Sequence, residues 1–570
     1  MKKLLQINEC LNLSTGKIAQ QIGELAIAKG WESWIAYSGR EKEMPSKSHL
    51  IRVGSFVNSC IHYAEDHFLD NEGLSSRCET KKLLKRIDEI RPDVVHLHNI
   101  HDHWLNYKML FSYLAKANIP VVWTQHDQWA MTGHCYYNLV GCERWKQECY
   151  DCPLSKWYCL DRSRRNFKLK KQLLSDIPSL TIVPVSEWLG NNIRQSHLKN
   201  RDIQVIHNGI DIKTFSPQPT NAHERYGIDK QKRIILGVAA LWDARKGLND
   251  FYELAKRLSD AEYAIVIVGQ RTEEIKQVEN GCQMVFVDRT QNALELAQLY
   301  SSVSVFVNPT YQDNYPTTNL EAIACGTPVI TYRTGGSPEA VDEKTGLVVG
   351  QGDIDGLTSA IERLSNGDYK DACRKRAEGE FDNSKCFNPY ITLYNKLLVG
   401  GKILILGVSN IWSNDKGLAD FITLSKNPDN VVVLVGMSKT QVKEYSSSTY
   451  KDCNLIPIQR TQNQHELSML YSLADVYVNP TYADMFPTVN LEALACGTPV
   501  ITYRTGGSPE AIDDKTGVVV EQGNVDALAD AIRKMKKLPP SSTDCRKRAE
   551  EHFDKDKCFE KYIELYESLI

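Results

Sequence analysis

Residues 308–346 read NPTYQDNYPTTNLEAIACGTPVITYRTGGSPEAVDEKTG, and residues 479–517 read NPTYADMFPTVNLEALACGTPVITYRTGGSPEAIDDKTG. The offset is 171 residues (479 − 308), and only seven of the 39 aligned positions differ. Flanking segments repeat as well. LGVAALWDARKGLNDF at 236–251 corresponds to LGVSNIWSNDKGLADF at 406–421, and CRKRAE occurs at 373–378 and 545–550. Each unit exceeds the roughly 20–50 residues of a solenoid repeat, so the sequence indicates a duplicated domain.

Buried-strand patterns alternate with helical patterns throughout the chain. In the first unit the strand patterns are RIILGVAAL, AEYAIVIVG, QMVFVD, VSVFVNP and TPVITY, separated by helical patterns such as LNDFYELAKRL and ALELAQLYSS. The N-terminal part shows the same alternation, with the strand patterns KLLQINE, SWIAYSG, DVVHLHN, PVVWTQHD and LTIVPVS. Such alternation predicts an α/β fold of parallel sheets covered on both faces, with ligands at the carboxyl ends of the strands.

Two boundaries divide the chain into three predicted Rossmann-like domains. Turn signals in VIHNGIDIKTFSP at 205–217 place the first boundary there, and the second falls near Gly400 and Gly401. The predicted domains are therefore an N-terminal domain, copy 1 and copy 2, at residues 1–204, 205–399 and 400–570.

Composition excludes several classes of protein. Net charge is −3 with an isoelectric point near 6.6, which gives no reason to expect nucleic acid as a partner. The start, MKKLLQINECLNLSTGK, is interrupted by Gln6, Asn8 and Glu9, so a first core strand is favoured over a signal peptide. Since an apolar run of about 18 residues is lacking, we expect a cytoplasmic chain, with peripheral contact at the inner membrane face if its substrate is lipid-linked.

Three further motifs carry a family resemblance: WTQHDQWAMTGHC, GCERWKQECYDCP and WDARKG. With the duplicated stretch, they resemble glycosyltransferase family 4, in particular bacterial exopolysaccharide and colanic-acid-type transferases. The resemblance covers residues 1–398, and its C-terminal half again covers 401–570. It implies a GT-B fold of two facing Rossmann-like domains, here with an extra third. It also implies a retaining hexosyltransferase that moves a sugar from a nucleotide-sugar donor to a glycan acceptor in cell-surface polysaccharide biosynthesis.

The family's Glu-x7-Glu signature corresponds here to Asp313 and Glu321, and in copy 2 to Asp484 and Glu492. The resemblance implies that Glu321 binds the ribose hydroxyls of the donor and that Asp313 lies near the transferred sugar. Two carboxylates at this spacing are usually solvated helix surface. Their position between a strand ending NPTY and the next helix favours a site instead.

The start of that helix has its own physical argument. Pro316 favours a helix start, and Thr317, Thr318 and Asn319 follow with small polar side chains. Free N–H groups and the positive end of the helix dipole suit a diphosphate. Ordinary helix capping is the competing interpretation.

Cations are expected beside the same diphosphate, because negative charge builds on it as the sugar leaves. Lys246 resembles the family's phosphate-binding lysine, whereas the usual arginine position holds Leu241, and the adjacent Arg245 is the candidate substitute. A surface basic pair is the alternative. Copy 2 has Asp415 and Lys416. An anion there weakens diphosphate binding, so we assign catalysis to copy 1.

Two N-terminal positions complete the predicted site. Gly16 follows the first strand and allows close backbone approach to the donor. His126 ends the strand VVWTQHD and matches the family's active-site histidine, and the neighbouring Asp127 could orient it. A histidine satisfied within the core is the alternative. The resemblance implies a front-face mechanism in which the leaving phosphate takes the acceptor's proton. No covalent nucleophile is evident.

A cysteine cluster stands apart from the other dispersed cysteines. Four thiols within 18 positions, with His134 as a further candidate ligand, can form a tetrahedral structural zinc site; they are Cys135, Cys142, Cys149 and Cys152. Separately packed thiols, or a disulfide under oxidation, remain alternatives. The family needs no metal for catalysis.

Other functions stay open at this point. A GT-B nucleotide-sugar epimerase is one, and a nucleotide-sugar-binding or scaffolding protein with a non-catalytic extra domain is another. Copy 2 could be a degenerate binding module, a regulatory nucleotide site or a remnant transferase, and the N-terminal domain could close on it instead of on copy 1. Acceptor recognition is expected in residues 55–80 and 129–165.

Overall fold

The computed structural model describes residues 1–40, 45–137, 141–157, 159–271, 281–398, 402–446, 453–537 and 539–569. The chain forms two compact units, Met1–Tyr390 and Ile391–Ile570. The N-terminal domain and copy 1 share the first unit. The predicted boundary at Gly400 and Gly401 lies outside the described residues.

The N-terminal domain is a seven-stranded parallel sheet in the order β3-β2-β1-β4-β5-β6-β7. Its strands are β1 Lys3–Ile7, β2 Glu32–Ser38, β3 His49–Val53, β4 Val94–Leu97, β5 Val121–Gln125, β6 Leu180–Pro184 and β7 Asp202–Ile203. Its helices are α1 Ser14–Ala28, α2 Phe56–Leu69, α3 Arg77–Ile90, α4 Tyr107–Ala117, α5 Ser163–Ser175 and α6 Glu187–Gln195. The two edge strands, β3 and β7, were not predicted. An edge strand has one strand neighbour and a weaker apolar signature.

Copy 1 is a six-stranded parallel sheet in the order β10-β9-β8-β11-β12-β13. Its strands are β8 Arg233–Trp242, β9 Tyr263–Arg271, β10 Gln283–Val287, β11 Val305–Asn308, β12 Val329–Tyr332 and β13 Gly346–Val349. Its helices are α7 Ala222–Arg225, α8 Leu248–Arg257, α9 Ala293–Ser302, α10 Thr317–Ala324, α11 Ile354–Leu364, α12 Lys370–Arg376, a π-helical turn Ala377–Phe381, α13 Asn383–Cys386 and α14 Asn388–Leu398.

Copy 2 has the same topology, strand for strand, in the order β16-β15-β14-β17-β18-β19. Its strands are β14 Ile403–Val408, β15 Asn430–Val435, β16 Leu455–Ile458, β17 Val476–Asn479, β18 Val500–Tyr503 and β19 Gly517–Val520. Its helices are α15 Leu418–Ser425, α16 Lys439–Tyr445, α17 Gln464–Leu473, α18 Thr488–Ala495, α19 Val525–Lys537, α20 Ser542–His552 and α21 Lys555–Leu569. The predicted fold class of three Rossmann-like sheets is confirmed.

One apolar core ties the two halves of the first unit together. It runs from Leu5 and Val95 in the N-terminal sheet to Leu236 and Phe306 in copy 1. At the start of α14 the chain returns to the N-terminal sheet, where the Tyr390 hydroxyl lies 2.8 Å from Thr124 Oγ1. None of the described helices combines the length and the apolar character that crossing a bilayer requires.

A carboxylate joins the same halves on the polar side. Glu339 of copy 1 accepts hydrogen bonds from the backbone N–H groups of Glu187 and Trp188, both at 2.8 Å. These two residues begin α6, so the carboxylate sits at the positive end of the helix dipole. His207 Nε2 lies 2.9 Å from the same side chain. The cleft between the halves is therefore held by a charge-assisted contact as well as by apolar packing.

Candidate active site

The carboxyl ends of the N-terminal and copy 1 strands meet across one cleft. The side-chain amide of Asn314, in the loop after β11, donates to the carbonyl oxygen of His126 at 2.8 Å. His126 follows β5 directly, and Asp313 precedes Asn314. Two of the predicted site residues are thus brought together, although Asn314 itself was not predicted.

A glycine pair fixes the loop that carries Asp313. Gly335 has φ +57°, and a Cβ there would lie 1.8 Å from the Asp313 carbonyl oxygen. A Cβ on Gly336 would lie 2.0 Å from the Asn314 carbonyl oxygen. Only glycine allows backbones to approach this closely at a positive φ. The turn after β12 therefore fixes the position of Asp313 in the cleft.

The predicted cations lie where β8 ends. Lys246 Nζ is 2.6 Å from Asp313 Oδ2, so the two predicted residues form an ion pair. Arg245 pairs with Asp243 at 2.8 Å. Its guanidinium also lies 4.8 Å from the centroid of the Tyr137 ring, in the N-terminal domain. Both cations border the cleft, and Arg245 also spans it.

Glu321 is the fifth of the eight residues of α10, and its pKa is unusual. Burial raises its pKa to about 7, against the opposing effects of Lys17, Tyr300 and Thr317. The Tyr300 hydroxyl donates to Glu321 Oε2 at 3.3 Å. Lys17 lies in the first turn of α1, so its charge acts on this carboxyl from the opposite half of the cleft.

The remaining predicted donor-binding residues divide into two groups. Thr317 and Thr318 are half-buried in the first turn of α10. Asn319 is fully buried; its Oδ1 accepts from Asn308 at 2.8 Å and its amide donates to the Ser337 carbonyl at 3.4 Å. Its side chain therefore ties β11 to the following turn and positions the helix.

Gly16 is required by the packing of α1. A Cβ at this position would lie 2.5 Å from the carbonyl carbon of Leu11. The first turn of α1 is thus pressed against the loop that follows β1. The contact is with the protein's own backbone, so the predicted approach of Gly16 to the donor is a separate matter and stays a prediction.

His126 belongs to a histidine network that the sequence analysis missed. His126 Nε2 is 3.1 Å from His98 Nδ1, and burial lowers the pKa of His126 to about 4, with a smaller contribution from His101. Burial also lowers the pKa of His101, but Asp127, 2.7 Å away, and Asp102 outweigh it and raise the pKa well above its usual value. The pKa values of His126 and His101 are therefore shifted in opposite directions. The run HLHNIHDHW at 96–104, directly after a strand, was the available signal.

A cavity of about 310 Å³ opens beside Asp313. Its lining comes from both halves of the unit and includes Gln128, Tyr137, Trp145, Trp188, Asp313 and Arg333. The size is at the lower end of small-ligand pockets. Among the described residues, the Arg333 side chain takes part in no ion pair, whereas its copy 2 counterpart Arg504 pairs with Glu521 at 2.7 Å. The cavity thus adds a cation to the cleft of copy 1.

The four clustered thiols lie next to this cavity. Cys135, Cys142, Cys149 and Cys152 line one small apolar cavity together with His134, whose Nε2 is 3.1 Å from Cys152 Sγ. All four are free cysteines. Within the part of the chain that the structure describes, the three donor atoms that approach within 4.8 Å of one another belong instead to Glu72, His101 and Asp102.

Copy 2 retains the polar pairs but not their surroundings. Lys416 Nζ lies 2.8 Å from Asp484 Oδ2, and the Tyr471 hydroxyl donates to Glu492 at 3.0 Å. At the position of the buried Asn314, copy 2 has Met485, which is 92% exposed. The polar pairs within the domain are therefore duplicated, whereas the contact that Asn314 makes with the N-terminal domain is not.

The raised pKa of Glu321 predicts a pH-dependent stability. Below pH 4.5 the carboxyl is protonated in the folded and unfolded states alike and contributes nothing. As pH rises from there towards 7, the unfolded chain loses this proton first, so Glu321 lowers the free energy of unfolding by roughly 2–3 kcal/mol in total. We expect Glu321→Gln to lose less stability than wild type between pH 5 and pH 8 in urea denaturation.

The control for this measurement is Glu343→Gln, which removes an exposed carboxylate of the same unit. It should follow the wild-type pH profile. Parallel profiles for wild type and Glu321→Gln would show that Glu321 is ionised normally in the folded protein.

Comparison with known proteins agrees with this arrangement. A model described as Glycosyltransferase Family 4 matches residues 19–214, and two models described as Glycosyl transferases group 1 match 232–366 and 395–552. The putative colanic acid biosynthesis glycosyl transferase WcaC of Escherichia coli is 22% identical over 54% of this chain and 77% of its own length. The capsular polysaccharide biosynthesis glycosyltransferase CapM of Staphylococcus aureus is 24% identical over 38% of this chain and 62% of its own length. A sucrose-phosphate synthase from Thermosynechococcus elongatus shares the fold, with a TM-score of 0.53 at 17% identity over 70% of this chain and 99% of its own. The chain therefore belongs to the glycosyltransferases, with one domain of family 4 type followed by two of group 1 type.

Proposed function

We propose that the first unit transfers a sugar from a nucleotide-sugar donor to a glycan acceptor with retention at the anomeric carbon. The observation that carries the proposal is the Lys246–Asp313 pair, held directly against the His126 strand end by the Asn314 bridge. A transferase must hold a diphosphate and an acceptor against one sugar carbon, and this is the place where both halves of the unit converge.

Charge development explains why these residues suit the reaction. The bond between the anomeric carbon and the diphosphate oxygen breaks, and negative charge grows on the leaving group. The growing negative charge on the leaving group is stabilised by Lys246, Arg245 and the N–H groups of the first α10 turn. A diphosphate that approaches Lys246 has to share this cation with Asp313, which then faces the sugar.

The neutral His126 supports a front-face route. A pKa near 4 leaves the imidazole unprotonated at physiological pH, so it offers no proton to the leaving group. The leaving phosphate oxygen takes the acceptor's proton as the new glycosidic bond forms on the same face. Glu321 is the candidate partner of the ribose hydroxyls, which donate readily to a carboxyl oxygen.

Copy 1 and copy 2 offer matched lysines for a mutational test. We expect Lys246→Ala to reduce sugar transfer by about 10²–10³-fold, as loss of a preorganised charge contact to a leaving group commonly does. Lys416→Ala should change the rate less than about twofold, because Asp415 opposes diphosphate binding in copy 2. The assay is transfer from a panel of nucleotide sugars, with the anomeric configuration of the product read by NMR.

Three outcomes would overturn parts of this proposal. An inverted anomeric product contradicts retention. Conversion of the donor sugar without an acceptor identifies an epimerase. If the protein binds the donor without turnover, and if Lys246→Ala leaves its cellular function unchanged, it is a binding or scaffolding protein.

For the acceptor we propose a lipid-linked glycan in polysaccharide biosynthesis. The names of WcaC and CapM support the polysaccharide. The lipid is supported by α2 in the N-terminal domain, where Phe56, Val57, Ile61 and Phe68 are exposed. An amphipathic helix with such a face can lie in the membrane interface.

The α2 face predicts reversible membrane binding. Replacing Phe56 and Phe68 by serine removes most of its apolar area, and co-sedimentation with phosphatidylcholine–phosphatidylglycerol vesicles should fall about tenfold. Met485→Ser, which removes an exposed apolar side chain of copy 2, is the matched control and should bind like wild type. Equal sedimentation of all three proteins would exclude α2 as the contact.

We further propose that the cysteine cluster holds a structural zinc ion. Thiolate and imidazole are the ligands that zinc prefers, and the four cysteines and His134 line one cavity. Binding one ion requires the thiols to move closer together than they are in this structure. Such an ion would brace the loop at 141–145, which lines the cleft cavity.

Metal analysis decides the zinc proposal. We expect about one zinc per chain by mass spectrometry, lost in Cys149→Ser and retained in Cys282→Ser, which alters a buried thiol elsewhere. A metal-free chain, or fewer than the 16 thiols that the sequence contains on titration of the unfolded protein, would exclude it.

A further inference from the structure

The last helix of copy 2 carries an apolar face that its counterpart in copy 1 buries. The segment FDKDKCFEKYIELYESL at 553–569 matches FDNSKCFNPYITLYNKL at 381–397, an offset of 172 residues (553 − 381). Five of the identical apolar positions differ sharply in exposure. In copy 1 they are 0–4% exposed and lie in α14 or directly before it; they are Phe387, Tyr390, Ile391, Leu393 and Tyr394. In α21 the same five are 51–61% exposed; they are Phe559, Tyr562, Ile563, Leu565 and Tyr566.

One residue of this face, Tyr390, has a partner in the N-terminal domain. Tyr390 places its hydroxyl 2.8 Å from Thr124 Oγ1 on β5, and its ring centroid lies 5.1 Å from that of His96 on β4. Both strands belong to the N-terminal sheet. The residue that meets this sheet in copy 1 is therefore repeated, unchanged, as Tyr562 in copy 2.

A second element of the face repeats in the loop after β17. In copy 1 the equivalent loop is buried through Asn314, which bonds to His126. Copy 2 presents Met485 and Phe486 to solvent instead. The Phe486 ring lies 6.2 Å from that of Phe553, which directly precedes α21. The loop after β17 is thus in contact with the residue that directly precedes α21, and in copy 1 both the equivalent loop and α14 contact the N-terminal domain.

A third element adds charge. Glu339 of copy 1 accepts from the first two N–H groups of α6, and the residue 171 positions later is Glu510. Glu510 is exposed, and among the described residues its carboxylate has no hydrogen bond or ion pair. A carboxylate at the rim of an apolar face complements the positive end of a helix, as it does in copy 1.

We propose that this face of copy 2, formed by α21, Met485, Phe486 and Glu510, docks the N-terminal domain of a second, different glycosyltransferase polypeptide. The occupant is a domain of the same type as residues 1–204, with a parallel sheet for Tyr562 and a helix N-terminus for Glu510. A second copy of this chain is the weaker choice, because its own N-terminal domain is already engaged through Thr124 and α6. The proposal rests on the duplicated contacts and does not depend on the donor chemistry.

Site-specific photo-crosslinking of the full chain in the cells that produce it tests the proposal. Benzoylphenylalanine in place of Tyr562 puts a photoreactive aromatic ring on the exposed face without disturbing a buried position. The same probe in place of Glu564, on the opposite side of α21, is the control. Crosslinked peptides are identified by mass spectrometry. We expect position 562 to capture peptides from the N-terminal domain of another glycosyltransferase, and Glu510→Lys to reduce that yield about tenfold or more.

Each other result overturns the proposal. Peptides from this chain at position 562 would identify self-association or contact within one chain. Crosslinks to lipid, or to a protein without such a domain, would identify a different occupant. No crosslink beyond the level at position 564 would show that the face is uncovered in the cell.

Discussion

The site depends on a backbone contact that only glycine permits. Gly335 and Gly336 let the turn after β12 press against the carbonyl groups of Asp313 and Asn314. A side chain at either position would push this loop into the cleft or away from it. Because Asp313 pairs with Lys246 and Asn314 bonds to His126, that displacement would break the ion pair and the bridge between the halves together.

The electrostatics of the cleft follow from how these parts are buried. Burial and a protonated neighbour keep His126 neutral, and burial keeps Glu321 close to its titration point. Cations, by contrast, stay near the surface of the cleft, with Lys246 and Arg245 each held by an aspartate. The arrangement leaves positive charge at the surface of the cleft and lowers the pKa of the His126 ring beside it.

The two copies distinguish contacts within the donor-type domain from contacts that this domain makes with the N-terminal domain. Copy 2 keeps the Lys416–Asp484 pair, the Tyr471–Glu492 hydrogen bond and the glycine turn, with Gly506 at φ +49°. These contacts are internal to the domain and survive copying. The contacts of copy 1 with the N-terminal domain have no equivalent in the described part of copy 2, where the corresponding side chains are exposed.

The sequence by itself determined the duplication, the α/β alternation and the strand ends at which Asp313, Lys246 and His126 stand, because periodicity and turn chemistry are local properties of the chain. It left out the edge strands β3, β7 and β13, whose apolar runs are short. Only the tertiary structure decided that Asn314 meets a carbonyl 188 positions away, that Asn319 is used inside the fold, and that His98 and His126 lie 3.1 Å apart. It also decided that identical residues are buried in α14 and exposed in α21. Burial depends on what lies opposite a helix, and no local pattern encodes that.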